Sequence, residues 1–408
     1  MRLTLICHDI PYPTNHGART DMWRRIKAFH RFGAELQLIC WWWDTPPSSE
    51  VIARIQSYTK LLRAFPIDRT VLARLSRALR SFMYPLAILS RIPSGSECRA
   101  LLNEVASYCP DIIFLDGIYG GQVAMLLSQE LKVPLVTRSH NIEHLYYRHL
   151  LSTGSGLDKL RTYFSLVTLE RYERRILRNS VLFYDISLDD LKFWQQEGFT
   201  NGRYLPPIIQ LGSENATNSL KIDTERNRYD VVFLGNLFSA NNVSGVRWFL
   251  AEVMPRLRSR LPGVRVLIAG LEPAESIRKL CSVSDGVELE ANPPSSRAVY
   301  ESGHVLINPV AVGSGVSIKT LEMMAVGKPI VSRSHGLGGL PEAVRRYFRV
   351  ADDAQSFAEE ILQFLAQTSK LKVDRELLQS LFGEHLVQDV LEELTLIAAQ
   401  ANNPGRRT

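Results

Sequence analysis

Short apolar runs alternate along this chain with longer stretches in which apolar residues recur every three or four positions. RLTLIC (2–7) has the content of a strand. ARTDMWRRIKAFHRFG (18–33) has helical spacing and stops at Gly33. ELQLICWWW (35–43), DIIFLD (111–116) and PLVTRSH (134–140) are further strands, with GGQVAMLLSQELK (120–132) as a helix between the last two. A long helical stretch (157–180) leads to the strand VLFYDIS (181–187) and the helix LDDLKFWQQEG (188–198). After a polar segment containing Pro-Pro, Ser and Asn, the alternation restarts at DVVFLG (230–235) and runs through VRVLIAG, VELEA, HVLINPV and PIVSRS, each followed by a helical or turn segment. Strands separated by helices pair in parallel and carry helices on both faces. The pattern predicts an α/β protein of two doubly wound, Rossmann-like domains with a cleft between them. Residues 1–205 form the first domain, 206–229 a linker, and 230–385 the second. A last helix within 386–408 crosses back and ends in a polar tail. In such sheets ligands sit beyond the carboxyl ends of the strands, which directs attention to the loops Asp9–Gly17, Asp116–Gly121 and His140–His144.

Composition narrows the class. A chain of 408 residues, 45% hydrophobic and 22% charged, is ordinary for a soluble protein of two domains. No apolar run approaches the roughly 20 residues of a spanning helix. The N-terminus reads as a first strand and loop, without a signal peptide's apolar core. Five scattered cysteines (Cys7, Cys40, Cys98, Cys109, Cys281), none spaced as C-x-x-C, fit a reducing cytoplasm and neither a disulfide framework nor a zinc site. The net charge of +6 is unevenly spread, with seven basic residues and one acid between Lys60 and Arg91. Arg74, Arg77 and Arg80 recur at three-residue spacing among apolar residues, as in a basic amphipathic helix. Such a helix suits an anionic membrane surface or the diphosphate of a lipid-linked acceptor, and it equally fits a solvated face. Nucleic acid is a poor partner for charge this local.

The stretch NPVAVGSGVSIKTLEMMAVGKPIV (308–331) carries the chemistry. A strand ends, a loop of Gly313, Ser314, Gly315 and Val316 follows, and Ser317 and Ile318 open a helix. Helix N-termini present unpaired N–H groups and a positive partial charge, and glycines let a phosphate come close. Lys319 in the first turn adds a point charge. Glu322, a turn further on, can accept hydrogen bonds from the vicinal hydroxyls of a ribose. Spacing alone also fits a Gly-rich turn with a solvated Lys319–Glu322 pair.

This stretch resembles the donor-nucleotide motif of retaining glycosyltransferases with the GT-B fold, family 4 in particular. That motif has two glutamates with seven residues between them, followed by Ala-Met-Ala-x-Gly-x-Pro-Val-Val. LEMMAVGKPIV is similar to its second half, with Glu322 as the second glutamate and Ser314 at the place of the first. The resemblance covers most of the chain. PYPTNHGARTDMWRRIKAF is similar to the family's opening loop and helix. RSHNIEHLYYR and LERYERRILRNSVLFYDISLDD are similar to segments of a bacterial subgroup that makes surface polysaccharides. GNLFSANNVSGVRWFL resembles the loop that opens the second domain. That loop usually gives an Arg and a Lys to the pyrophosphate. Here Gly235–Gly245 has no basic residue, Asn241 and Asn242 stand there instead, and Lys319 is the candidate for the missing charge.

The resemblance implies a sugar transferred from a nucleotide sugar, as substrate and without a metal or other cofactor, to a glycan or polyprenyl-diphosphate-linked acceptor. The setting is the cytoplasm or the inner face of the membrane. His140 and Lys319 are the catalytic candidates. Glu322, Gly313, Ser314, Gly315, Val316, Ser317, Ile318, Gly235, Asn236, Asn241 and Gly17 are the donor candidates. Asn141, Glu143, Asp116 and Arg19 are the acceptor-side candidates. From the residues alone, His140 also fits a packed strand end, Asp116 a loop acid bonded to backbone, and Arg19 a solvated helix position. A nucleotide-sugar epimerase of the same fold and a weakly active donor-binding subunit are the alternatives.

Overall fold

The computed structural model describes residues 1–14, 17–43, 45–68, 70, 77, 79–80, 84–153, 156–210, 228–312, 315–367 and 374–402. The chain divides into two compact units, Met1–Pro206 with Glu384–Thr408, and Pro207–Gly383.

In the first unit seven parallel strands lie in the order β3-β2-β1-β4-β5-β6-β7. They are β1 (Arg2–Cys7), β2 (Glu35–Trp42), β3 (Leu61–Pro66), β4 (Ile112–Asp116), β5 (Leu135–Ser139), β6 (Leu182–Asp185) and β7 (Gly202–Tyr204). The central strands are buried along their length, which is why their sequences read as unbroken apolar runs and do not alternate. Ile6, Ile39, Ile113, Leu115 and Leu135 pack against Val123, Leu127, Tyr172 and Ile176 from the covering helices. Helix Gly17–Arg31 buries Asp21, Met22, Trp23, Arg25, Ile26, Ala28 and Phe29. Helix His385–Asn402 belongs to this unit. Its Leu394 is fully buried, and Glu393 accepts a hydrogen bond from the Tyr184 hydroxyl at 2.5 Å.

In the second unit six parallel strands lie in the order β10-β9-β8-β11-β12-β13. They are β8 (Tyr229–Asn236), β9 (Val266–Leu271), β10 (Val287–Ala291), β11 (Gly303–Asn308), β12 (Ile330–Ser332) and β13 (Phe348–Val350). Val231, Phe233, Ile268, Val305 and Ile307 form the core with Val246, Phe249 and Phe357.

In each sheet the order builds outward one way from its first strand and then reverses. The reversal falls between β1 and β4, and between β8 and β11. Loops leaving two adjacent strands there part to opposite faces and open a crevice.

The basic segment 60–91 does not form one helix. Leu61–Pro66 is edge strand β3, Leu86–Leu89 is a short helix, and Arg91 is buried rather than solvated. Of the three arginines on which the amphipathic reading rests, Arg74 lies outside the described residues, and Arg77 and Arg80 are helical. Among the described residues no helix is long and apolar enough to cross a membrane.

Candidate functional site

The first unit's crevice is filled by a network of charges. Asp116 ends β4, paired with Cys7 of β1, and is 3% exposed. Arg25 donates to it from Nε at 3.1 Å and Nη2 at 3.0 Å, and Nη2 also reaches Asp21, one helical turn earlier, at 2.8 Å. Arg138, inside β5 and fully buried, donates to Asp21 at 2.6 Å and stands 3.6 Å from Asp116. The two acids and two arginines balance. Burial alone would raise the Asp116 carboxyl, but Arg25, His140 and Arg138 together hold it well below the usual carboxylate range.

His140 leaves the end of β5 and meets this network with Nε2 at 2.7 Å from Asp116 Oδ1. An ionised carboxylate only accepts, so Nε2 carries the hydrogen and Nδ1 faces away from Asp116. Asp116 thus holds a histidine in one orientation, because both of its oxygens are taken up within the unit. Beside His140 lies His8, which follows β1, with ring centroids 5.6 Å apart. Burial pushes His8 down to about 3, helped by His140 and Arg91, so it is a neutral ring. Gly117, at φ +85°, makes room for it, since a Cβ there would stand 2.6 Å from His8 Nδ1.

The turn after His140 is pinned from the long helix Gly156–Asn179. Glu173 accepts the N–H groups of Glu143 and His144 at 2.7 and 2.9 Å, and its Oε2 bonds the His144 ring at 2.5 Å. Glu143 starts helix Glu143–Thr153 and accepts from the Tyr119 hydroxyl at 2.8 Å and the Asn141 amide at 3.3 Å. Burial and the nearby Glu173 charge raise its carboxyl to about 7. Arg19 is not a solvated residue, for it forks onto Asp9 at 2.8 and 3.0 Å. Gly17 is the first residue of its helix.

The second unit's crevice is built differently. Helices Ala240–Trp248 and Ile318–Val326 follow β8 and β11, one on each side of the reversal. Their N-cap positions are Ser239 and Ser317, and neither side chain caps its helix. Elsewhere in this unit Ser295, Asp353 and Asp374 do cap theirs. Neither N-cap serine therefore occupies the first-turn amides of its helix, as an anion site requires. Gly315, at φ +64°, turns the chain into the second of these helices. Val316 is buried, and Ile318 is the first helical residue. Gly313 and Ser314 lie outside the described residues.

Lys319 joins the two helices. Its Nζ donates to Asn242 Oδ1 at 2.8 Å and lies 4.9 Å from the centre of the Phe233 ring. Burial pushes its amine down to about 7. The Asn242 amide in turn donates to the Asn236 carbonyl at 2.9 Å. The Asn236 side chain accepts the N–H groups of Phe238 and Ser239 and so shapes the loop. Gly235, paired with Gly270, precedes it at the end of β8, and Asn241 is half-buried in the helix's first turn. Glu322 is half-buried on helix Ile318–Val326. Its charge adds to the burial that raises the Tyr300 hydroxyl.

Sequence reasoning singled out His140, Asp116 and Lys319 without finding what holds them. His8, Asp21, Arg25, Arg138 and Glu173 were missed. One signal was present: an arginine within the apolar strand PLVTRSH needs a buried acid. Among the described residues no group of three or more His, Cys, Asp and Glu is placed to hold a metal ion.

Residues 228–367, within the second unit, match the family model described as Glycosyl transferases group 1. A Klebsiella pneumoniae protein, described as an uncharacterized 44.6 kDa protein in the cps region, is 26% identical over 385 residues, 91% of this chain and 92% of its own. Among solved structures, sucrose-phosphate synthase from Thermosynechococcus elongatus superposes with a TM-score of 0.68 at 16% identity, covering 98% of this chain and 99% of that one. Anabaena HepE in complex with UDP-glucose gives 0.64 at 13% identity, covering 97% and 99%. The fold is therefore GT-B, two Rossmann-like domains of parallel sheet.

Proposed function

We propose that this protein transfers a sugar from a nucleotide-sugar donor to a glycan or lipid-linked acceptor, with retention of anomeric configuration, in cell-surface polysaccharide synthesis. The observation that carries the reading is the second unit's crevice, where two uncapped helix N-termini are bridged by the Lys319–Asn242 bond. The group 1 family match supports it, as does the UDP-glucose held by HepE. The curated relative's place in a cps region supports the polysaccharide setting.

In this reading the donor diphosphate lies against the amides around Gly315–Lys319, with Lys319 as its cation. Asn236 and Asn241 supply amide donors, and Glu322 accepts from the ribose hydroxyls. The bond from the sugar's anomeric carbon to the diphosphate oxygen breaks. The acceptor hydroxyl bonds that carbon on the face the diphosphate leaves, and its proton passes to the departing diphosphate. His140, held by Asp116, steadies the sugar as charge develops. Lys319 and the amides balance the leaving group, so the step uses no metal and no protein nucleophile. The reaction takes place in the cytoplasm or at the inner face of the membrane.

Incubation with UDP-sugars and no acceptor, followed by proton NMR, tests the reaction class. Slow release of free sugar that first appears in the donor's configuration is the expected result. Isomerisation of the donor sugar would make the protein an epimerase, and no turnover of any donor would sink the enzyme reading.

A further inference from the structure

Four neighbouring strands, β2, β1, β4 and β5, end side by side, and the residues just past their carboxyl ends form a continuous line. Trp43, 36% exposed, stands at the rim after β2. The Arg91 guanidinium lies 5.2 Å from the Trp43 ring centre and 5.3 Å from that of Tyr119. Tyr119 is 5.7 Å from His8, and His8 is 5.6 Å from His140.

Arg91 is the unusual member. It is 5% exposed, yet its hydrogen bonds go to neutral groups: Nε to the His8 carbonyl at 2.9 Å, and Nη1 to the Ala87 carbonyl and the Ser90 hydroxyl. Among the described residues it has no carboxylate partner, and its Nη2 donates to nothing. Asp9, the acid whose field reaches it, is already forked by Arg19. A largely buried cation bonded only to neutral groups is costly, and an anion brought by a ligand would offset that cost. Guanidinium suits phosphate or carboxylate, and aromatic faces suit the C–H faces of sugar rings.

We infer that the line from Trp43 to His140 is a subsite for an anionic sugar, whose ring stacks at Trp43 and whose phosphate or carboxylate meets Arg91. Naming that sugar the acceptor rests on the transferase reading above.

The test is tryptophan-fluorescence titration of the full chain with glucose 1-phosphate, glucuronate and methyl glucoside. It is run on a Lys319→Met background with saturating UDP, to keep the probes off the second unit. The charged probes are expected to bind about tenfold or more tighter than methyl glucoside. Arg91→Gln is expected to erase that difference, and Trp43→Ala, at the exposed rim, to weaken all three probes. A preference for the phosphate indicates a phosphate-linked acceptor, and a preference for glucuronate an acidic sugar unit. Equal affinity for charged and neutral probes overturns the inference. So does a charge preference that survives Arg91→Gln in a protein whose melting is unchanged. Should Arg91→Gln unfold, unaltered affinities in Trp43→Ala overturn it instead. Failure of the wild type to bind any nucleotide, with the Arg91-dependent preference intact, would remove the transferase reading and leave the subsite standing.

Discussion

Where its strand order reverses, the first unit gathers opposite charges into a closed set, while the second leaves one lysine and two bare helix ends. Asp21, Arg25, Asp116 and Arg138 offset one another's charge, although Arg25 Nη1 and Arg138 Nε are buried without an acceptor among the described residues, and their packing fixes a single histidine. Lys319 has a neutral amide and an aromatic face for company, and its amine is pushed down to about 7. A network whose charges offset one another within the fold suits positioning. A buried cation beside two helix ends that their own serines do not cap suits an anion. The two reversals share a topology and differ in charge, and the first unit's own buried cation without a carboxylate partner among the described residues, Arg91, lies outside its network.

The strongest way to break this contrast is Asp116→Asn. It leaves Arg25 and Arg138 buried with one counter-charge, Asp21, between them, and such losses cost about 3–5 kcal/mol. Denaturant unfolding followed on the first unit should show that loss. A change below about 1 kcal/mol would mean the network is not a closed balance.

Lys319→Met is the counterpart. Folding stability should hold within about 1 kcal/mol, because a desolvated cation is replaced by an apolar chain. UDP affinity should fall about tenfold to a hundredfold. Wild-type affinity should also depend on pH. With the free amine near 7, binding below that value meets a charged lysine. Above it, binding must first add a proton, so affinity should fall by up to about tenfold per pH unit. Calorimetry in buffers of different ionisation enthalpy would show the proton taken up, and Lys319→Met should show none.

A smaller effect sharpens the first unit's side. Glu143 shifts from 4.5 to about 7 in the fold. An acid whose pKa is raised by folding lowers stability as pH climbs from its unfolded value through its folded one. The protein should lose about 2 kcal/mol between pH 5 and pH 8 from this group. Glu143→Gln should lack that decline, as melting at the two pH values would report. The smallest effect concerns caps. Ser317→Ala should change stability by less than about 0.5 kcal/mol, whereas Asp353→Ala, which removes a working cap, should cost about 1 kcal/mol.

Much of this was legible in the sequence, because parallel strands buried on both faces leave unbroken apolar runs that locate themselves. Strand β3 was lost because Leu61–Pro66 lies at a sheet edge within a basic segment, where charge masked a short apolar run. Strands β7 and β13 are three residues each, too short to show a period. The loop before Lys319 announced itself by local chemistry, with glycines, a lysine and a glutamate in one stretch. The network around Asp116 did not, because Asp21, Arg25, Arg138 and Asp116 come from three distant segments. His8 was hidden for the same reason, since its surroundings arise from pairing β1 beside β4.

Helix Ile318–Val326 and its loop are the proposed nucleotide site. Calorimetric titration of UDP, GDP, ADP and dTDP into the wild type and Glu322→Ala tests it most directly. Micromolar binding of one of the four, lost in Glu322→Ala, is the expected result. Failure of all four to bind, or equal binding by the variant, would contradict it.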